Sequence, residues 1–112
     1  MNCAGQSDHS PLTEDGLAVK LAALSHPARL AILRHLSMRG CSCCKDVVDT
    51  VDLAQSTVSQ HLKVLVEAGL VRYAPDRQRS RYELDRAAVA SLSKAVSGLL
   101  DSCCVQAGAN SQ

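Results

Sequence analysis

A small, mainly helical domain carrying one β-hairpin is the fold class this chain predicts, and three observations predict it. The 112 residues include two Tyr and neither Trp nor Phe, so the core must come from Leu, Val, Ile and Ala, a composition that favours helices over a large sheet. Apolar residues recur every three or four positions through most of the chain. Only around LVRY and RYEL do they alternate, Val71/Tyr73 and Tyr82/Leu84, across a polar APDRQRS stretch, which reads as two strands and a turn. With 46% hydrophobic and 21% charged residues, the length fits one core and leaves none for a second.

Taken in order, residues 1–12 carry Gly, Ser, Asn, Asp and Pro without periodicity and are expected to form a flexible tail, as are residues 105–112 (VQAGANSQ); the domain occupies 13–104. The first helix, Glu14 to Leu24, places Leu17, Leu21 and Leu24 on one face. Ser25-His26-Pro27 breaks and restarts the chain, since Pro suits a first helical turn and disfavours helix in the residue before it. A second helix from Pro27 to about Ser37 would bury Leu30, Leu33 and Leu36, with Gly40 as its stop signal. Cys41 to Val51 reads as a short third helix with Val47, Val48 and Val51 apolar. A fourth begins at Gln55 and ends at Gly69, with Val58, Leu62 and Leu65 turned inward and Ser56, Thr57, Ser59, Gln60 and Lys63 outward. The last helix, Arg86 to about Cys104, carries a nearly heptad stripe of Val89, Leu92, Val96 and Leu99.

The formal net charge is +1, which excludes a globally basic nucleic-acid coat, yet residues 53 to 82 hold Lys63, Arg72, Arg77, Arg79 and Arg81 against Glu67 and Asp76. That window is basic and the remainder acidic. Two short helices, the second with a row of polar donors outside, followed by a basic hairpin, is the order of a winged helix-turn-helix, whose second helix enters the major groove of DNA. Ser, Thr, Gln and His can bond base edges and phosphates, so Gln55, Ser56, Thr57, Ser59, Gln60, His61, Lys63, Arg77, Arg79 and Arg81 are the expected DNA-binding residues. His61 has two readings, a phosphate contact or a residue packed at the helix edge. No apolar run approaches the length of a membrane span and the first residues lack the basic and apolar blocks of a signal peptide, so no membrane partner and a cytoplasmic location are expected. Enzyme chemistry finds no Gly-rich phosphate loop and no His near a Cys in a nucleophilic motif.

Three segments, ALSHPARLAILRHL (23–36), LAQSTVSQHLKVLVEAGLV (53–71) and RYAPDRQRSRYEL (72–84), resemble the ArsR/SmtB family of bacterial metal-responsive repressors. The resemblance covers most of the chain and implies a homodimer, paired through its first and last helices, that binds an inverted-repeat operator and leaves it when a ligand binds. Leu17, Leu21, Leu24, Val89, Leu92, Val96 and Leu99 are what such an interface needs; the alternative is that these stripes cover only the core of one chain. The sequence departs from the family at Ala54, where a capping Ser is common.

The six cysteines point to the ligand. Residues 85 to 104 contain no His and few carboxylates, so a zinc-type site in the last helix is missing. Cys41, Cys43 and Cys44 instead cluster at the expected start of the third helix, where the positive end of the dipole and Lys45 favour thiolates, and Cys103 and Cys104 close the last helix. Clustered thiolates select soft ions, and three suit the pyramidal shell of As(III) or Sb(III), the expected inducers, with no organic cofactor. The arsenic-responsive branch of the family is similar in having Cys-x-Cys at this helix start, but Val47 and Val48 stand where a further Cys is usual. Either Cys41, Cys43 and Cys44 hold one ion, or two of them are joined by Cys103 or Cys104. Cys3 reads as a bystander or as a ligand donated to a partner subunit. A persulfide or redox sensor needs only two thiols, and cadmium, lead or zinc also accepts all-thiolate sites, so both remain alternatives.

Overall fold

Thr13 opens the first helix. Its hydroxyl accepts from the Gly16 N–H at 3.0 Å, and Glu14 and Asp15 put negative charge at the positive dipole end of α1 (Glu14–Leu24). The computed structural model describes residues 12–76 and 79–111. Of the segment 1–12 only Leu12 is among them, and it packs against the core; the rest of the expected tail, Cys3 included, lies outside the described residues. α2 (Pro27–Arg39) starts as the Ser-His-Pro break implies, with Pro27 in the first turn and His26 Nδ1 accepting from the Ala28 N–H at 3.0 Å. Gly40, at φ 77°, ends it.

The first departure from the sequence reading follows. Ser42–Cys43 is an extended strand, β1, and only Cys44–Val51 forms the helix α3, where a helix from Cys41 was expected. β1 pairs with the hairpin, Ser42 opposite Tyr82 and Cys43 opposite Arg81, and a two-residue strand is too short to show alternation. Asp52, in the left-handed region at φ 58°, turns the chain towards α4 (Gln55–Glu67), where Ala54 provides no side-chain cap. α4 ends with the Leu70 N–H on the Leu65 carbonyl and the Gly69 N–H on that of Val66, a closure that uses Gly69 at φ 84°. β2 (Val71–Asp76) and β3 (Arg79–Leu84) form the expected hairpin, in register from Val71 opposite Leu84 to Asp76 opposite Arg79. The antiparallel sheet has the order β1-β3-β2.

α5 (Arg86–Ser111) starts with Asp85 Oδ1 accepting from the Ala88 N–H at 3.1 Å. It does not stop near Cys104: the segment expected as a tail from 105 is helical to Ser111, because extending an existing helix costs far less than nucleating one and Gln106 and Ala107 favour helix. Its 26 residues span about 39 Å. Its N-terminal half packs beside α1, and from Ser97 to Cys104 every side chain is exposed.

Ile32, Leu36, Val47, Val58, Leu62, Leu65 and Leu70 are fully buried, so the core lies between α2, α3, α4 and the sheet. The inward stripe of α4 is as expected. On α2 the buried face is rotated: Leu30 is 39% exposed, and Ile32, His35 and Leu36 point inward. Leu92, expected at a dimer interface, is buried in the core of the single chain, because the start of α5 lies over that core. Leu17, Leu24, Val89 and Val96 pack partly against the same core, while Leu21 and Leu99 stay exposed together with Val19 and Leu100.

Candidate nucleic-acid interface and thiol cluster

Because α4 buries Val58, Leu62 and Leu65, its other face must meet solvent. Gln55, Ser56, Thr57, Ser59, Gln60 and Lys63 are all exposed there, a row of hydrogen-bonding side chains able to face base edges and phosphates. His61 is not part of that row. It is 9% exposed, its Nδ1 accepts from Arg29 Nε at 3.2 Å, and its ring lies 4.4 Å from that of His26, so it packs between α4 and α2, as the second of its two readings has it. Burial first, then the charges of His26 and Arg29, lower its affinity for a proton below that of an ordinary histidine.

The hairpin lies beside this face. Arg81 stands on β3 and Arg79 opens it opposite Asp76; Arg77 lies outside the described residues. Arg72 forms a 3.7 Å pair with Glu83 at an exposed position, so its charge is partly offset. Between α4 and the hairpin runs a groove of about 410 Å³, bounded by Ser59, Lys63 and Glu67 on one side and Tyr73, Ser80 and Tyr82 on the other. The Tyr73 and Tyr82 rings face each other at 5.4 Å, and burial, then Cys44, then Tyr73 raise the Tyr82 phenol above its usual value near 10. Sequence reasoning counted these tyrosines only as strand residues; their position directly opposite in the register was the available signal.

The cysteine turn meets both the hairpin and α4. Cys41 is exposed and its sulfur accepts from Arg81 Nε at 3.2 Å. Cys44, in the first turn of α3, has its sulfur 3.5 Å from Ser59 Oγ on α4. Cys43 is buried at the N-cap of α3, where its N–H donates to Asp46 Oδ2 at 3.2 Å in a capping box. The three neighbours in sequence therefore have three different surroundings. Among the described residues no group of three or more His, Cys, Asp or Glu is arranged to hold a metal ion, so the expected triad is not preassembled. Cys103 and Cys104 are exposed on the protruding part of α5, and that helix packs beside α1 and not at the start of α3, so within one chain the structure does not bring them to Cys41, Cys43 and Cys44 as the second of the two ligand arrangements requires.

A polar-faced helix reached through a left-handed turn, with a β-hairpin at its side, defines a winged helix-turn-helix DNA-binding protein. A helix-turn-helix domain family matches residues 24–74. The chain is 33% identical over 88 residues to the arsenical resistance operon repressor of Bacillus subtilis, covering 77% of each, and it therefore belongs to the ArsR/SmtB family of DNA-binding transcriptional repressors. It is also 33% identical over 63 residues to a cadmium resistance transcriptional regulatory protein homologue of Staphylococcus aureus, covering 56% of this chain and 52% of that one. Among solved structures, the homodimeric winged helix-turn-helix DNA-binding domain Mb0332 of Mycobacterium bovis superposes with a TM-score of 0.66 at 29% identity, over 88% of this chain and 91% of that one.

Proposed function

We propose that the chain acts as a homodimeric repressor that leaves an inverted-repeat operator when a trivalent metalloid, arsenite or antimonite, binds cysteine thiolates. The observation that carries this reading is the placement of Cys41 and Cys44, whose sulfurs touch Arg81 on the wing and Ser59 on the reading helix. A soft three-coordinate centre suits Cys41, Cys43 and Cys44 in chemistry, and collecting their sulfurs draws Cys41 from Arg81, Cys44 from Ser59 and Cys43 from the N-cap of α3. Ligand binding and DNA binding then compete for the same side chains. By linkage the operator weakens ion binding by the factor by which the ion weakens operator binding, commonly ~1–3 kcal/mol. In the dimer, Leu21 and Leu99, left exposed in one chain, meet the partner subunit along the α1–α5 layer.

The Bacillus subtilis relative is an arsenical resistance repressor, which favours a metalloid inducer, and the Staphylococcus aureus one supports cadmium as the second reading. The test is operator binding by the reduced protein, followed by gel shift on the inverted repeat upstream of its own coding sequence, during titration with arsenite, antimonite, cadmium, zinc and a persulfide donor. Release by the trivalent ions at the lowest concentrations is expected. Release by cadmium alone moves the assignment to a divalent-ion sensor, and release by the persulfide donor alone moves it to a sulfur sensor.

A further inference from the structure

Two basic side chains, one on α1 and one on α2, tie the end of α1 to the reading helix. Lys20 Nζ donates to the carbonyl of Ala68, the C-cap of α4. Arg29, on α2, donates from Nε to His61 Nδ1 at 3.2 Å and from Nη1 to the carbonyls of Ala22 and Ala23 at 3.2 and 3.4 Å. Those carbonyls belong to the last turn of α1, which holds no basic residue of its own; Ser25 already bonds that of Ala22, and the guanidinium adds positive charge at the negative end of the dipole. The His61 ring leans on His26, itself held by the Ala28 N–H. One planar fork thus joins the end of α1, the start of α2 and the middle of α4, and α1 is the helix that lies against α5.

We propose that Arg29 and His61 are positioning residues for operator reading: neither faces DNA, and together they fix the lean of α4 against the α1–α5 layer, hence the separation of the two reading helices in a dimer. The inference rests on the dimeric DNA-binding reading and is independent of the inducer. Its chemistry requires a neutral His61, because Nδ1 must accept from the guanidinium while the ring proton sits on Nε2. The groups that face this ring, His26 from the α1–α2 turn and Arg29 from α2, carry or can take positive charge, and both oppose protonation, as burial does. The node is therefore intact at neutral pH and is lost as pH falls through the lowered His61 value, below the ordinary histidine range.

The experiment measures equilibrium binding of the full chain to its operator and to a scrambled duplex by fluorescence anisotropy, with melting temperature and dimer content recorded alongside. Arg29→Lys keeps the charge but loses the fork, and His61→Leu loses the acceptor. Each is expected to weaken operator binding by about tenfold, the size of a lost charge-assisted hydrogen bond, while binding to the scrambled duplex stays within about twofold. His61→Asn offers an amide oxygen in place of Nδ1, so it should retain operator affinity and abolish the acid fall-off expected of the wild type below the ordinary histidine range. Operator affinities unchanged in both losing variants, or lost on both duplexes in step with the melting temperature, overturn the proposal. So does a His61→Asn pH profile that superposes on the wild type, which keeps the test decisive if Arg29→Lys fails to fold. Failure of the wild type to prefer its operator overturns the repressor reading and this inference with it.

Discussion

Cys41, Cys43 and Cys44 lie where β1 passes into α3, beside Arg81 of the wing and Ser59 of the reading helix, whereas Cys103 and Cys104 lie on a stretch of α5 whose side chains are all exposed. Both groups have the same donor chemistry, and they differ in what a bound ion would have to break. A ligand shifts an equilibrium only by its differential affinity for the two states. On the proposed function, ligation at the first turn would exchange contacts made to the wing and the reading helix and so carry its cost into operator affinity. Ligation at two exposed thiols on a solvated helix changes little in the same chain. Under that proposal the number of thiols says less about sensing than their neighbours do.

The largest expected effect comes from breaking the first region. Replacing Cys41, Cys43 and Cys44 by Ser should leave operator binding within about threefold of wild type and raise the arsenite concentration for release by about tenfold or more, the loss of a coupling of ~1–3 kcal/mol. Unaltered release, read by gel shift, would move the sensing site elsewhere. Next comes Arg81→Ala, which should weaken operator binding across sequences and reduce the slope of log affinity against log salt by about one. A slope equal to wild type would show that Arg81 makes no phosphate contact. Smaller still is Ser59→Ala, which removes the hydroxyl beside Cys44 and should shift the release midpoint by less than about fivefold, as befits one exposed neutral hydrogen bond. The smallest effect belongs to Cys103 and Cys104: their double Ser variant should release within about twofold of wild type, a difference that falls within the value of a weak exposed contact. A large loss of response in that variant would reverse the comparison and assign the leverage to α5.

Much of this architecture was legible in the residues, for identifiable reasons. Val58, Leu62 and Leu65 repeat at helical spacing, which turns Ser59, Gln60 and Lys63 outward, and the tyrosine strands alternate around a polar turn. Local pattern failed where a distant partner decides the outcome. His61 has the same spacing whether it meets phosphate or Arg29, and only the fold brings the end of α1 to it. β1 is two residues long and exists because β3 pairs with it, so Cys41 was placed in a helix that begins at Cys44. The buried side of α2 passes through Ile32 and Leu36, because several hydrophobic faces are available on that helix and tertiary packing selects one. The cysteine types and their clustering were visible in the sequence, but their divergent surroundings were not.

β1 also bears on how such a regulator can change over generations. The thiol-bearing turn spans four consecutive residues, Cys41 to Cys44, and two of them are held in place by backbone pairing, Ser42 with Tyr82 and Cys43 with Arg81, beside the sulfur contacts of Cys41 and Cys44. Backbone pairing tolerates many side chains, so under the proposed function the turn could exchange its chemical input while α4 kept the same operator as output. A library randomised at Cys41, Cys43 and Cys44 and selected for release by other soft ligands would use that modularity directly, with the reading surface of α4 left untouched.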